Sequence, residues 1–213
     1  MRRCSRWLSL VAVWLLFTGC AETSTVGERL TTPSASTQAS ASPATQSALP
    51  AQKKAAGIED CPSSDASVPA VVNGLPDVTL ACLGGGREVR LAGLRGKPMM
   101  INVWAQWCGP CRTEAPFLAE VAAENRSDLM VLGVDYVDSV HPDKAIAFAQ
   151  AAGWTYPQVA DTDKVLAAPL QIVGPPYTFF VRADGTIAGK HVGAFTSAAQ
   201  IRRLAEQQLG VDL

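Results

Sequence analysis

Two cysteines, Cys108 and Cys111, stand three residues apart where an apolar, strand-like run ends and a helix-like pattern begins. In a helix, residues three apart lie about one turn from each other, so the two sulfurs can form a disulfide. A thiolate at a helix N-terminus is stabilised by unpaired backbone N–H groups and by the helix dipole. The spacing therefore predicts a redox-active disulfide in which Cys108 attacks a substrate and Cys111 resolves the mixed disulfide.

The elements that would position this pair alternate between strands and helices. Nearly continuous apolar runs at 98–104 and 129–135 are typical of strands buried on both faces of a sheet. A hairpin is predicted around the glycines 84–86, and a second one around Asp184-Gly185. The remaining predicted elements are helices from residue 109, over 142–153 and after Ser197, and strands at 156–159, 177–181 and 186–192.

The start of the chain indicates export. Three arginines precede an apolar stretch at 7–17, which is shorter than the roughly 20 residues of a membrane-spanning helix and is typical of a signal peptide. Residues 17–20 resemble a bacterial lipobox, with Phe17 where leucine is usual, so we expect residues 1–20 to be a signal and Cys20 to be lipidated. This would anchor the protein by lipid to the outer face of the cell membrane. The alternative is an ordinary secretory signal, with Cys20 incidental and the protein secreted.

Two further segments follow in the predicted organisation. Residues 21–57 are rich in Ser, Thr, Ala, Gln and Pro and contain no aromatic residue, which predicts a disordered tether. Residues 58–213 have the length of one domain. The formal net charge is -1, which gives no basic surface for nucleic acid, and no Walker or dinucleotide glycine pattern is present.

The string Asn102-Val103-Trp104-Ala105-Gln106-Trp107-Cys108-Gly109-Pro110-Cys111-Arg112-Thr113-Glu114-Ala115-Pro116 resembles the TlpA/ResA/CcmG branch of exported thioredoxin-like proteins, and the resemblance extends over about 75–209. It implies an α/β, thioredoxin-like fold: a central mixed sheet flanked by helices, with an N-terminal β-hairpin and a helix-strand insertion. It also implies protein thiol-disulfide oxidoreductase activity on protein substrates with cysteines, without a cofactor.

The resemblance does not by itself fix the direction of electron flow. Gly109 and Pro110 form the dipeptide of reducing thioredoxins, which favours a reductase. A reductase outside the cytoplasm needs a membrane electron donor, and the resemblance suggests a CcdA- or DsbD-like protein, with apocytochrome c or another secreted protein as substrate. An oxidant that forms disulfides in secreted proteins, working with an oxidase, is the alternative.

The resemblance also assigns roles to the neighbours of the cysteines. It makes Glu114 a partly buried acid that exchanges protons with the pair, and Asn102 stands where ordinary thioredoxin has a buried aspartate. Trp107, together with Gly109 and Pro110, is expected to contact substrate, and Pro176 matches the family's cis-proline. Its predecessor is Pro175, which has no N–H to offer a docked peptide. The alternatives are that Glu114 is a solvated helix glutamate and that Trp107 is an ordinary surface aromatic.

Cys61 and Cys82 remain, and in an oxidising compartment a structural disulfide between them is expected. A second redox relay is the alternative. Paired cysteines also bind zinc, but His141 and His191 are isolated from them in the sequence, so no metal site is expected.

Two other functional classes are the alternatives for this chain. A peroxiredoxin would need a proline seven residues and a threonine or serine three residues before its reactive cysteine. Cys108 has Ile101 and Ala105 at those places. A non-enzymatic adaptor, in which the cysteine pair is only structural, is the other class.

Overall fold

The computed structural model describes residues 43–136 and 141–213, with side chains from residue 47 onward. The predicted signal peptide, the lipidation of Cys20 and residues 21–42 of the predicted tether lie outside the described residues. The described elements are, in chain order, α1 Pro43–Ala55, β1 Thr79–Cys82, β2 Val89–Arg90, β3 Met99–Trp104, α2 Gly109–Glu124, β4 Met130–Tyr136, α3 Pro142–Ala151, β5 Gln158–Asp161, α4 Ala167–Leu170, β6 Tyr177–Val181, β7 Ile187–Val192 and α5 Ala198–Leu209.

The strands form one mixed sheet of seven in the order β2-β1-β5-β4-β3-β6-β7. The central strands β3, β4 and β5 are parallel, whereas β6, β7, β1 and β2 join by antiparallel pairing. The predicted arrangement is thereby confirmed: a mixed sheet with helices, an N-terminal hairpin (β1–β2), and a helix and strand (α3 and β5) inserted between β4 and β6.

Every residue of β3 is buried, which explains its continuous apolar run. Alternate side chains of a strand point to opposite faces. Met100 and Trp104 accordingly pack in one core with α2, α3 and α5, while Met99, Ile101 and Val103 pack in a second core with residues of the hairpin and of α4. The strand that leads to the cysteines is therefore held from both sides.

The prediction of a disordered stretch up to residue 57 is wrong for residues 43–55, which form α1. Alanine favours helix, and the segment contains four of them. Gly57 has a φ of +72° and ends the helix, with the Ile58 N–H donating to the Lys53 carbonyl at 3.2 Å. This is a Schellman-type C-terminus, for which glycine is favoured.

Tertiary contacts hold α1 against the domain, so the folded part begins before residue 58. The Lys53 side chain is buried, and its ammonium donates to the Asp60 carboxylate at 2.9 Å and to the Gly85 carbonyl at 3.1 Å. The helix also approaches the glycine turn closely, because a Cβ on Gly84 would lie 2.8 Å from the Lys53 Cβ. Composition alone missed this helix because a few specific contacts stabilise it.

The helix ends that position the site follow ordinary capping chemistry. Pro110 occupies the first turn of α2, where a missing N–H costs nothing. The Ser197 hydroxyl caps α5 by accepting from the Gln200 N–H at 3.2 Å, and Gly210 ends that helix with a φ of +68°. The short α4 was not predicted. Among the described helices, none combines the length and the apolar character that crossing a bilayer requires.

Candidate active site

Cys108 and Cys111 form a disulfide, with an S–S distance of 2.04 Å and a Cα–Cα distance of 5.3 Å. Cys108 is the N-cap of α2, and its sulfur accepts from the Cys111 N–H at 3.1 Å. Cys108 is 4% exposed and Cys111 is 0% exposed. Cys108 is therefore the more exposed of the two, so an attacking thiolate reaches it before Cys111. The helix N-terminus stabilises negative charge on the Cys108 sulfur.

The residues predicted to bind substrate surround Cys108. The Trp107 side chain is 54% exposed, and Gly109 and Pro110 are exposed beside it. The Pro175–Pro176 peptide bond is cis, and the Pro175 carbonyl oxygen lies 3.6 Å from the Cys108 sulfur. The loop before β6 thus offers a carbonyl oxygen, and no N–H, next to the reactive sulfur.

Pro176 itself is turned into the domain. It is buried, and its carbonyl accepts from the Gly193 N–H at 3.0 Å. The Pro176 carbonyl therefore already has a hydrogen-bond partner within the domain. Of the two prolines, only Pro175 presents a backbone acceptor to the cysteine pair.

Glu114 is completely buried, at 0% exposure, so the expectation of a partly buried acid needs correction and a solvated helix glutamate is excluded. Its Oε1 accepts from the Asn102 Nδ2 at 3.1 Å, and its Oε2 accepts from the Phe195 N–H at 3.0 Å. Burial raises the pKa of Glu114 from 4.5 to about 7, against the two hydrogen bonds, which lower it. The carboxyl group therefore gains and loses its proton near neutral pH.

Beneath Glu114, one residue on each of four neighbouring strands falls into the same transverse line, and three of the four have polar side chains. Asn102 on β3 is paired with Thr178 on β6 and with Gly133 on β4, and Gly133 is paired with Gln158 on β5. We call Thr178, Asn102, Gly133 and Gln158 the polar row. The Asn102 Nδ2 also donates to the Thr178 hydroxyl at 3.2 Å, so Thr178, Asn102 and the Glu114 carboxyl form one hydrogen-bonded group.

Gln158 lies at the other end of the polar row and is fully buried. Its Oε1 accepts from the Trp104 Nε1 at 3.0 Å, and its Nε2 donates to the Tyr156 carbonyl at 3.2 Å. A Cβ on Gly133 would lie 1.7 Å from the Gln158 Oε1, so the glycine makes room for the amide. Gln158 thereby ties the end of β3 to the start of β5.

Sequence reasoning found Glu114 and Asn102 but missed Thr178, Gln158 and Phe195. Thr178 and Gln158 become neighbours of the site through the sheet register, which no local pattern specifies. Phe195 contributes only a backbone N–H, so its residue type carries no signal. An isolated glutamine in an apolar strand was the one clue that the sequence offered.

Cys61 and Cys82 are joined by a second disulfide, with an S–S distance of 2.00 Å and a Cα–Cα distance of 5.9 Å. Both residues are buried, and the Lys53 ammonium lies 3.3 Å from the Cys82 sulfur. The bond links the segment after α1 to β1. It belongs to the second core, whereas the Cys108–Cys111 pair belongs to the first.

The AhpC/TSA family model matches residues 71–190 of the 213-residue chain. The chain belongs to the AhpC/TSA family. A curated relative, the thiol:disulfide interchange protein DsbE of Pseudomonas fluorescens biotype C, is 36% identical over 121 residues, which make up 55% of this chain and 64% of that protein. The thioredoxin-like protein YneN of Bacillus subtilis (strain 168) is 31% identical over 138 residues, 64% of this chain and 77% of that protein.

Two solved structures of similar proteins have the same fold as this chain. A thiol:disulfide interchange protein of the thioredoxin family from Chlorobium tepidum TLS matches with a TM-score of 0.56 and 26% identity, over 67% of this chain and 99% of that one. A secreted Mycobacterium tuberculosis disulfide oxidoreductase homologous to E. coli DsbE matches with a TM-score of 0.53 and 26% identity, over 63% and 96%.

These relatives confirm the thioredoxin-like fold and the resemblance stated from the sequence. The chain spans less than two thirds of the length of the DsbE relative from Pseudomonas, and about half of that from Escherichia coli.

Proposed function

We propose that this protein is an extracytoplasmic thiol-disulfide oxidoreductase that reduces disulfides in protein substrates. The observation that carries the proposal is the Cys108 sulfur, which caps the 16-residue helix α2 and lies in front of the buried Cys111. The curated names of the relatives, thiol:disulfide interchange proteins, support the same chemistry.

The reaction begins with the reduced pair. The Cys108 thiolate attacks one sulfur of a substrate disulfide, a mixed disulfide forms, and the other substrate sulfur leaves as a thiolate. Cys111 then attacks the Cys108 sulfur and releases the second substrate thiolate. Two electrons pass to the substrate, and the Cys108–Cys111 disulfide is the product.

Glu114 handles the proton of Cys111 in this scheme. The Cys111 thiol must lose its proton before it can attack, and Glu114 follows one turn later on the same helix. Its pKa of about 7 lets it accept a proton as carboxylate and return it in the reverse direction. Both oxygens already accept hydrogen bonds from protein donors, which keep the carboxyl in one orientation.

The substrate lies across Trp107 and the loop at Pro175. Since Pro175 has no N–H, a docked peptide forms one backbone hydrogen bond fewer than in relatives with another residue there, which weakens binding by about 1 kcal/mol. We expect Pro175→Val, in a Cys111→Ser background that stops resolution, to bind a cysteine-containing peptide about fivefold more tightly. Unchanged or weaker binding contradicts this part of the proposal.

Insulin reduction by dithiothreitol tests the oxidoreductase activity. The wild-type protein should accelerate precipitation of the insulin B chain, Cys108→Ser should abolish the effect, and Cys111→Ser should accumulate mixed disulfides. Equal rates for wild type and Cys108→Ser would show that the cysteine pair is only structural, as in an adaptor.

The direction of electron flow requires the redox potential of the pair. A potential near that of thioredoxin, about -270 mV, supports a reductase. A potential near that of DsbA, about -120 mV, would contradict the reductase proposal and indicate an oxidant. Mixed disulfides trapped in cells with Cys111→Ala should contain apocytochrome c or another secreted protein, together with a CcdA- or DsbD-like membrane donor.

The proposed location is the outer face of the cell membrane, with the chain held there through Cys20. Mass spectrometry of the mature protein should show a lipidated Cys20 at its N-terminus. Cys20→Ser should then move the protein from the membrane fraction to the soluble fraction. A wild-type protein that is already soluble would contradict the lipid anchor.

A further inference from the structure

His191 is a half-buried histidine on β7 that the proposed reaction does not use. It is paired with Thr178 on β6, which is paired in turn with Asn102, so His191 lies one strand beyond the Thr178 end of the polar row. Residues directly opposite each other in an antiparallel pair point to the same face of the sheet. The His191 side chain therefore lies on the face from which Asn102 donates to Glu114.

The His191 ring stacks on the ring of Phe195, in the loop between β7 and α5. The ring centroids are 4.3 Å apart, and the ring planes are inclined by 13°. Within the part of the chain that the structure describes, the buried Nε2 of His191 has no hydrogen-bond partner. The imidazole therefore acts on the loop through its flat face and not through this nitrogen.

The backbone of Phe195 is the point at which the loop meets Glu114. Phe195 is 0% exposed, and its N–H donates to the Glu114 Oε2 at 3.0 Å. This N–H and the stacked ring belong to one residue. A movement of the ring into empty space beside it would consequently displace the N–H from the carboxyl.

The loop is fastened on both sides of Phe195. Before it, the Gly193 N–H donates to the Pro176 carbonyl at 3.0 Å. After it, the Thr196 N–H donates to the Gln200 side chain at 2.8 Å. Phe195 lies between these two hydrogen bonds, so the packing of its ring decides where its own N–H points.

We propose that His191 is a positioning residue that, by stacking on Phe195, holds the Phe195 N–H against the Glu114 carboxyl. The inference rests on the proposed role of Glu114. A hydrogen bond to a carboxylate favours the charged form, so this N–H lowers the pKa of Glu114 against the effect of burial. Without the stack the N–H moves away and the pKa rises above its value of about 7. Fewer Glu114 side chains can then take the proton of Cys111 at neutral pH.

The surroundings of Glu114 make this effect readable from its titration. Burial raises the pKa of Glu114, Phe195 and Asn102 lower it, and within the described residues no charged side chain adds to these causes. Its titratable neighbour at the start of β5 is Tyr156, and burial raises the pKa of Tyr156 well above its usual value. Tyr156 therefore stays protonated while Glu114 titrates.

The rate at which Cys111 resolves the mixed disulfide tests the inference. Reduced protein is mixed with a disulfide-containing peptide, samples are quenched with acid, and mass spectrometry follows the decay of the mixed disulfide from about pH 6 to about pH 9. Loss of a hydrogen bond to a carboxylate raises its pKa by about one pH unit. The rate in His191→Ala should therefore be about one fifth of the wild-type rate at pH 7 and should approach it at pH 9.

The control variants separate the stack from other effects of the substitution. His191→Phe keeps an aromatic face at this position and should resolve at the wild-type rate. Ile187→Ala is the matched control, because Ile187 lies on the same strand but packs against the second core. A wild-type rate in His191→Ala, a loss that persists at pH 9, or the same loss in His191→Phe or Ile187→Ala overturns the proposal.

A variant on the other side of the stack keeps the test valid if His191→Ala folds poorly. Phe195→Leu removes the stacked ring and keeps an apolar side chain in the core. It should show the same slow resolution at pH 7 and the same recovery at pH 9, and a wild-type rate would count against the stack.

The amide resonance of Phe195 distinguishes failure of this inference from failure of the role of Glu114. In the oxidised wild type its proton shift should titrate with a midpoint near pH 7, and in His191→Ala the midpoint should rise. If the midpoint is the same in both proteins, only the positioning role of His191 fails. If Glu114→Gln leaves the rate of resolution and its pH dependence unchanged, the proposed role of Glu114 fails, and this inference fails with it.

Discussion

Glu114→Gln should change how the folding stability depends on pH. In the folded protein burial raises the pKa of Glu114 from 4.5 to about 7, so the folded state holds this proton more tightly than the unfolded chain does. The stabilisation that this proton gives the folded state is complete below about pH 4.5. It declines as the pH rises from 4.5 towards 7 and is gone above about pH 7. Each pKa unit is worth about 1.4 kcal/mol, which makes the total about 3 kcal/mol.

In Glu114→Gln the side chain can no longer titrate, but it keeps nearly the same size and shape. Its carbonyl oxygen can accept from the Phe195 N–H, and its NH₂ can donate to the Asn102 Oδ1, which has no hydrogen-bond partner within the described residues, once that amide turns. We therefore expect the two proteins to have similar stability at pH 4.5. At pH 8 the Glu114→Gln variant should be more stable by about 3 kcal/mol, because the wild type then contains a buried carboxylate.

Urea unfolding of the oxidised proteins at a series of pH values from 4.5 to 8 measures this difference. Four aspartates (Asp60, Asp65, Asp77 and Asp184) do not interfere, since hydrogen bonds lower their pKa values and place their titration below the interval. They are also common to both proteins. Stability curves that stay parallel from pH 4.5 to 8 would refute the raised pKa of Glu114 and, with it, the argument for a proton exchanger.

Further predictions concern parts of the fold around the site. Gly133→Ala should cost about 2 kcal/mol of stability, because a Cβ would meet the Gln158 amide, and a melting temperature equal to that of the wild type would contradict this. Replacing Cys61 and Cys82 together by alanine should cost about 3 kcal/mol in urea unfolding and leave insulin reduction intact, whereas lost activity at full stability would favour a second relay. Lys53→Ala should speed proteolytic cleavage within α1 while the rest of the domain stays resistant, and an unchanged cleavage rate would show that other contacts hold the helix.

Sequence reasoning succeeded where one local pattern decides the structure. The cysteine spacing, the apolar run of β3 and the Asp184-Gly185 turn each depend on neighbouring residues only, and the structure has the elements there. It failed for α1. There the composition argues for disorder, and the helix depends on a buried lysine that reaches residues 7 and 32 positions further along the chain.

The surroundings of Glu114 illustrate why the site was only half predictable. The glutamate could be placed from its position on α2, because helical spacing fixes which face it occupies. The other members of its hydrogen-bonded group are far away in the sequence: Thr178 on β6 is 76 residues from Asn102, and Phe195, in the loop between β7 and α5, is 81 residues from Glu114. Only the pairing register brings Thr178 beside Asn102, and a shift of one residue would turn the Thr178 side chain to the other face of the sheet.

The combination of Asn102 and Glu114 determines how many protons the site can hold. Two carboxyl groups at this distance could not both be ionised, and one of them would stay protonated at neutral pH. The asparagine instead donates to Glu114 at 3.1 Å, which favours the carboxylate and partly offsets the effect of burial. The result is a single acid with a pKa of about 7. One proton must leave the Cys111 thiol each time the mixed disulfide is resolved, so a site with one such acid matches the proton requirement of that step.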